Sequence, residues 1–264
     1  LKLFICASYT ASLYLTSQKS MTYCVAMNLA DGLVFVSDSR TNAGVDHIAT
    51  FRKLYRFGIP GERMIVLQTA GNLATSQAVV SLLRHRLTGE GIHLNNVPTM
   101  FAAARLVGET MREVVAHDSA PSTGPEIDMS SSFLIGGQIA GEEPELYNLY
   151  PQGNFICATT DTPYFQIGES KYGKPILDRA LSHTTMLDQA MRCALISFDS
   201  TIRSNLSVGM PLDLMVYRKD SLELPEGHRI TEGDPYFLEI REQWCSNLRL
   251  LLEELPPAPA FYLD

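Results

Sequence analysis

The sequence predicts an α+β fold of four layers (αββα), with two antiparallel sheets packed face to face and helices outside each. Two observations predict it. Segments with strand-like and helical patterns follow one another as strands, two helices, strands, two helices, a closing strand and a last helix. Both strand sets are too apolar to leave a face in water, and stacking them between helices buries every such face in one domain. The chain has 264 residues, 45% of them hydrophobic, which suits one sizeable core. No repeat or linker divides it, so 22–264 is read as a single domain and 1–21 as an upstream extension or pro-segment outside the mature fold.

The elements follow in order. The stretch TYCVAMNLA alternates, ADG at 30–32 turns the chain, and LVFVSDS runs back, which predicts a hairpin. FRKLYRFG at 51–58, a Pro60-Gly61 turn and RMIVLQTAG predict a second hairpin, the two together being read as one four-strand unit. Apolar residues at helical spacing predict helices over 72–87 and 95–117, the latter capped by Asn95 or Asn96. A loop rich in Pro, Ser and Gly follows at 119–126. Strands are predicted over 131–139, 145–151 and 155–160, helices over 175–181 and 185–197, a late strand over 212–217, and a helix over 235–255 ended by Pro256-Pro257.

Composition excludes several functions. Acidic residues outnumber basic ones, for a net charge of −8, and no stripe of Lys and Arg is present for a phosphate backbone, so no nucleic-acid partner is expected. No apolar run is long enough for a membrane span. The five cysteines are scattered without a CxxC pair, which argues against a disulfide framework or zinc site and for a reducing, cytoplasmic setting. Neither a metal nor any other cofactor is expected, and without an ATP-binding loop any energy-dependent unfolding would require a separate ATPase.

The first twenty residues open on Leu1 and contain one early lysine and a short apolar stretch. They read as a poor signal peptide, as an extension ahead of a start at Met21, or as a pro-segment. Met21 precedes a small residue, the context in which an initiator is trimmed.

The usual catalytic devices are missing: there is no GxSxG elbow or HExxH motif, and the six histidines are dispersed. Thr22 is the alternative. A threonine hydroxyl is a weak nucleophile, but an α-amine on the same residue, with a pKa of roughly 7.7–8.0, can take its proton near neutrality. By itself Thr22 is an ordinary strand residue. The hairpin, however, returns Asp38 to the chain start, and Lys53 in FRKLY can polarise the hydroxyl and amine with Asp38 holding it. Gly71, in TAG ahead of a helix, offers a backbone N–H to an oxyanion. Separately, Asp38 can be read as a turn residue or a surface partner of Arg40, Lys53 as a solvated lysine, and Gly71 as a turn glycine.

The run TYCVAMNLADGLVFVSDSRTNAG, then FRKLY and QTAGNLATSQ, resembles the proteasome beta-subunit and HslV superfamily of N-terminal threonine peptidases, and within it the bacterial Anbu subgroup. The resemblance extends from Thr22 to about Leu222 and, for that subgroup, to the C-terminus. The interval of 16 residues from Thr22 to Asp38 is the family's, and that of 31 to Lys53 is one shorter than usual. The resemblance implies an N-terminal-nucleophile hydrolase fold. It also implies Thr22 as nucleophile and base, Asp38 and Lys53 as its orienting pair, and Gly71 as oxyanion donor. Ser170 in FQIGES would support the amine, with Gly168 as the retained glycine and Glu169 in place of a second one. Asn205 aligns with an aspartate of many proteasome subunits and Val208 with a serine, Ser207 lying one position off. Pocket residues are expected at Asp46, His47, Ile48, Ala49 and Thr50. The family implies self-association into a ring or an open helical arrangement of about a dozen subunits, with 72–87 and 95–117 as candidate contacts, and a peptide or unfolded protein as substrate. The same chemistry suits a hydrolase of small amides, and a silent assembly subunit is the third reading.

Overall fold

The computed structural model describes residues 22–42, 48–118 and 128–262. The chain begins with the hairpin Tyr23–Leu29 (β1) and Gly32–Asp38 (β2). Arg40–Asn42 (β3) and Ile48–Thr50 (β4) pair as a separate ribbon. Leu54–Ile59 (β5) and Arg63–Gly71 (β6) lead into the helices Leu73–Arg86 (α1) and Met100–Asp118 (α2). Next come Ser131–Ile139 (β7), Glu145–Leu149 (β8), Phe155–Cys157 (β9) and Tyr164–Gly168 (β10). Helices Lys174–Ala180 (α3) and Leu187–Ser204 (α4), strands Leu212–Arg218 (β11) and His228–Ile230 (β12), and helix Pro235–Glu254 (α5) complete the order.

One five-stranded sheet runs β10-β1-β2-β11-β12 and the other β5-β6-β7-β8-β9, with every pairing antiparallel. Strand alternation splits the core into three clusters. Cys24, Ala26, Leu33 and Phe35 from the first sheet meet Met64, Val66, Leu134 and Leu146 from the second, forming the layer between sheets. Tyr23, Val25, Met27, Val34 and Val36 point the other way, onto Leu187, Ala190, Ala194 and Phe198 of α4. Ile65, Leu67, Phe133 and Ile135 pack against Val79, Val80, Leu83, Ala103 and Val107 of α1 and α2. These are the four predicted layers. Between the sheets, the Gln68 side-chain amide donates to the Val36 carbonyl at 2.9 Å.

The two early hairpins do not form a four-strand unit, as the sequence reading had it. Each starts a different sheet, the β3–β4 ribbon coming between them in the chain. Helix α2 starts at Met100, not 95, and its cap is Thr99, whose hydroxyl accepts from the Ala102 amide at 3.1 Å. Pro98 accounts for the shift, since it disfavours helical backbone at the residue before it. Asn96 instead accepts from the His93 amide in the preceding turn, at 2.8 Å. The segment 164–168, noticed only as part of a motif, is the strand that flanks β1, and β9 ends at Cys157, short of the predicted 160.

The apolar faces of α1 and α2 are largely taken up by the core. Exposed apolar surface lies on α5 instead, which buries only Phe237. Leu248, Leu251, Leu252 and Leu255 recur at the spacing of one helix face and are 40–68% exposed. The helix is held to the body by Arg241, whose Nε donates to Asp199 Oδ1 at 2.5 Å. No described helix is long and apolar enough to cross a membrane.

Candidate active site

Asp38 is the last residue of β2, opposite the start of β1, with 0% exposure. Its Oδ1 accepts two hydrogen bonds, from Lys53 Nζ at 2.8 Å and from the Tyr23 amide at 3.1 Å. Lys53, 3% exposed, also donates to the Arg40 carbonyl at 2.6 Å. Burial raises the Asp38 carboxyl to about 6, and the ammonium of Lys53 and the amides of Tyr23 and Gly209 pull it partly back. Oδ2 has no hydrogen-bond partner among the described residues. The shared oxygen brings a buried ammonium close to the peptide linking Thr22 to Tyr23. An ammonium there favours the anionic hydroxyl and the neutral amine of a terminal threonine.

Thr22 precedes β1 and is 2% exposed. Its carbonyl accepts from the Glu169 amide at 2.6 Å. This junction requires Gly168, whose φ is +83° and where a Cβ would lie 1.8 Å from the Thr22 carbonyl oxygen. Tyr23 locks the strand from the helix side: its hydroxyl bonds Ser197 Oγ at 2.6 Å and accepts from Gln166 Nε2 at 2.5 Å. Ser170 is half-buried beyond β10, and its carbonyl accepts from the Lys174 amide at 3.2 Å.

Gly71 ends β6 with φ +105°, one residue before Asn72 caps α1 by accepting from Thr75 N at 3.1 Å. Thr69, two residues earlier, joins both halves of the site. Its amide donates to the Lys53 carbonyl at 3.0 Å, and its carbonyl receives the Cys24 thiol at 3.6 Å. Thr22 and Gly71 therefore lie two residues beyond the same contact, on opposite sheets. Burial pushes the Cys24 thiol far above its ordinary range, so it is no competing nucleophile.

The remaining residues distribute differently. Asn205 caps the end of α4, its Oδ1 accepting from Ser207 N at 2.9 Å and its Nδ2 donating to Glu169 Oε2 at 3.0 Å. Ser207 is engaged there through its backbone, and Val208 is a buried core residue. Arg40 turns from Asp38 and donates to the Leu206 carbonyl at 3.0 Å. Asp46 and His47 lie outside the described residues; Ile48, Ala49 and Thr50 form β4. A cavity of about 710 Å³ opens just downstream, lined by Phe51, Arg52, Tyr55, Arg84, Asp213 and Arg229 among others. Glu169 and Tyr23 were not singled out as site residues, although both adjoin residues that were. Among the described residues no cluster of His, Cys, Asp and Glu is placed to hold a metal ion.

Fold and site together define an αββα sandwich of the N-terminal-nucleophile type, with a buried carboxylate–ammonium pair beside the first strand. The chain belongs to the proteasome subunit family, in its Anbu branch: the family profile described as "Proteasome subunit" matches residues 19–216. The chain is similar to the Anbu complex of Pseudomonas aeruginosa, solved as a helical assembly. Identity is 65% and the TM-score 0.89, over 91% of this chain and 100% of that one. Anbu from Yersinia bercovieri is 60% identical with a TM-score of 0.85, over 90% and 99% of the two chains. A proteasome subunit beta of Haloquadratum walsbyi is 22% identical over 214 residues, 79% of this chain and 78% of that protein.

Proposed function

We propose that the chain is a threonine-type endopeptidase whose nucleophile is the Thr22 hydroxyl, with its own α-amine as general base. The observation that carries this reading is the single Asp38 oxygen shared by Lys53 and the amide following Thr22. Asp38 fixes the ammonium, and the ammonium lowers the cost of forming an alkoxide at Thr22. The amine takes the hydroxyl proton as the hydroxyl attacks the scissile carbonyl, and returns it to the leaving amine. Water then hydrolyses the acyl-enzyme by the same exchange. The Gly71 amide, at a strand end leading into a helix, is the proposed donor to the tetrahedral oxyanion, and Ser170 the proposed support for the amine. Gly168, Asn205, Ser207 and Arg40 hold the surrounding backbone.

The substrate is proposed to be a peptide or unfolded protein entering by the cavity beside Phe51 and Tyr55. Self-association is proposed as well, with the exposed leucine face of α5 as the candidate contact in addition to α1 and α2. The deciding experiment is digestion of a peptide library by chain beginning at Thr22, with mass spectrometry of the products. Cleavage lost on Thr22→Ala supports the reading. Turnover of small amides without peptide cleavage would favour the amidohydrolase alternative, and no acylation by any substrate would favour a silent assembly subunit.

A further inference from the structure

Among the described residues, Glu169 is a buried carboxylate without a cationic partner. It is 5% exposed, and its oxygens accept from the Lys171 amide at 3.1 Å and from Asn205 Nδ2 at 3.0 Å, both neutral donors. Among the described residues no Lys, Arg or His forms an ion pair with it. Among the described residues, the charged groups on the neighbouring elements are committed elsewhere or exposed. Lys53 and Asp38 pair with each other, Arg203 at the end of α4 pairs with Asp199, Arg40 lies on the Leu206 carbonyl, and the Lys171 side chain is exposed. Asn205 itself carries no charge, and its amide cannot turn away, because its Oδ1 is held by Ser207 N. It also sits at the C-terminal end of α4, where the helix dipole adds further negative potential. A buried anion in such surroundings is unfavourable unless a positive charge arrives.

One charge can arrive. The Glu169 amide bonds the Thr22 carbonyl at 2.6 Å, so its α-carbon adjoins that of Thr22 across the end of the β1–β10 ladder. While Thr22 is preceded by another residue, its nitrogen is a neutral amide. Freeing it creates an ammonium on the residue that lies directly across the ladder from Glu169. We propose that Glu169 is the counter-charge of the freed Thr22 α-amine, positioning it with Asn205 as the oriented neutral partner of both. Glu169 is thereby a positioning residue. It favours the charged amine, so it holds the nitrogen in place and sets the pH above which the neutral base becomes available. The inference rests on the proposed function only in that a free amine at Thr22 is required.

The test is the pH dependence of acylation of the Thr22 amine by trace acetic anhydride, read by mass spectrometry on chain beginning at Thr22. Acylation needs no turnover, so this reading and the peptidase reading fail separately. Glu169→Gln should lower the apparent pKa of the amine by about one unit, and the pair Glu169→Gln with Asn205→Asp should restore it, which a purely structural role for Glu169 would not. The acid limb of peptide cleavage should move by the same amount. If Glu169→Gln does not fold by circular dichroism, Asn205→Asp alone serves, the added carboxylate raising the amine's pKa. An amine that titrates identically in the native chain and the folded variants overturns the inference, even if peptides are cleaved. A shift on Glu169→Gln upholds it, even if they are not.

Discussion

Lys53 and Asp38 form an ion pair at 2.8 Å in which both side chains are almost wholly withdrawn from solvent, at 4% and 0% exposure. Such a pair is weak evidence for stability, since desolvating two charges offsets much of their attraction, and breaking it from one side leaves an uncompensated charge. Its place beside the first peptide of β1 is better explained by chemistry, and it has a measurable pH signature.

Burial is the main cause that brings Asp38 to about 6. Between about pH 4 and about 6 the native chain holds a proton that the unfolded chain has released. The stability this group contributes is therefore complete below about pH 4, is lost as pH rises through about 6, and changes no further above. Asp38→Asn should remove that slope from the thermal midpoint measured across the window. Turnover should fall more steeply below about pH 6, where protonation of Asp38 adds to that of the Thr22 amine, because only ionised Asp38 fixes the Lys53 ammonium. A native midpoint that rises steadily from pH 4 to 6, with no difference in slope from the Asn variant, contradicts the assignment.

Thr22→Ala should lower peptide cleavage at least about a thousandfold while the chain still folds and associates, since the side chain belongs to none of the three apolar clusters. Intact mass should show that the cleaving species begins at Thr22. A species that keeps residues before Thr22 and still cleaves peptides ends the mechanism, because an amide nitrogen cannot accept the hydroxyl proton.

Gly168→Ala tests the close approach at Thr22. Its Cβ would overlap the Thr22 carbonyl oxygen, and its φ of +83° is strained for any L side chain. The expected loss of stability is about 2–4 kcal/mol, with cleavage reduced further as β1 shifts from β10. Denaturant unfolding checks the first part and single-turnover kinetics the second. An unchanged midpoint and rate would show that this junction tolerates movement.

The leucine face of α5 predicts association. Leu251→Glu combined with Leu252→Glu places two charges on a stripe now 56% and 68% exposed at those positions, so the fold should persist while sedimentation velocity shows smaller species. Unchanged sedimentation would move the contact to other surfaces, α1 and α2 first among them.

Much of this protein was legible in the sequence because the signals are local. Alternation in 22–39 and 51–58 marks strands, helical spacing marks α1 and α2, and Thr22, Asp38 and Lys53 fall at intervals that a hairpin and the segment after it bring together. Partnership between distant segments was not legible. Alternation says which residues share a face but not which sheet a hairpin joins, so the assignment of the two hairpins to different sheets emerged only when Cys24 and Phe35 met Met64 and Leu134 across the layer between sheets. Helix α2 was placed too early because the backbone limit set by Pro98 outweighed helical spacing upstream. The role of Glu169 was hidden for the same reason as the sheet assignment. In sequence it stands where a glycine was expected, 36 residues from Asn205, and its burial on neutral donors arises only because β10 and the end of α4 meet beside Thr22. Residue types and their periods determined the elements and the candidate nucleophile. Burial, a property of the packed chain alone, decided which charges are paired and which await a partner.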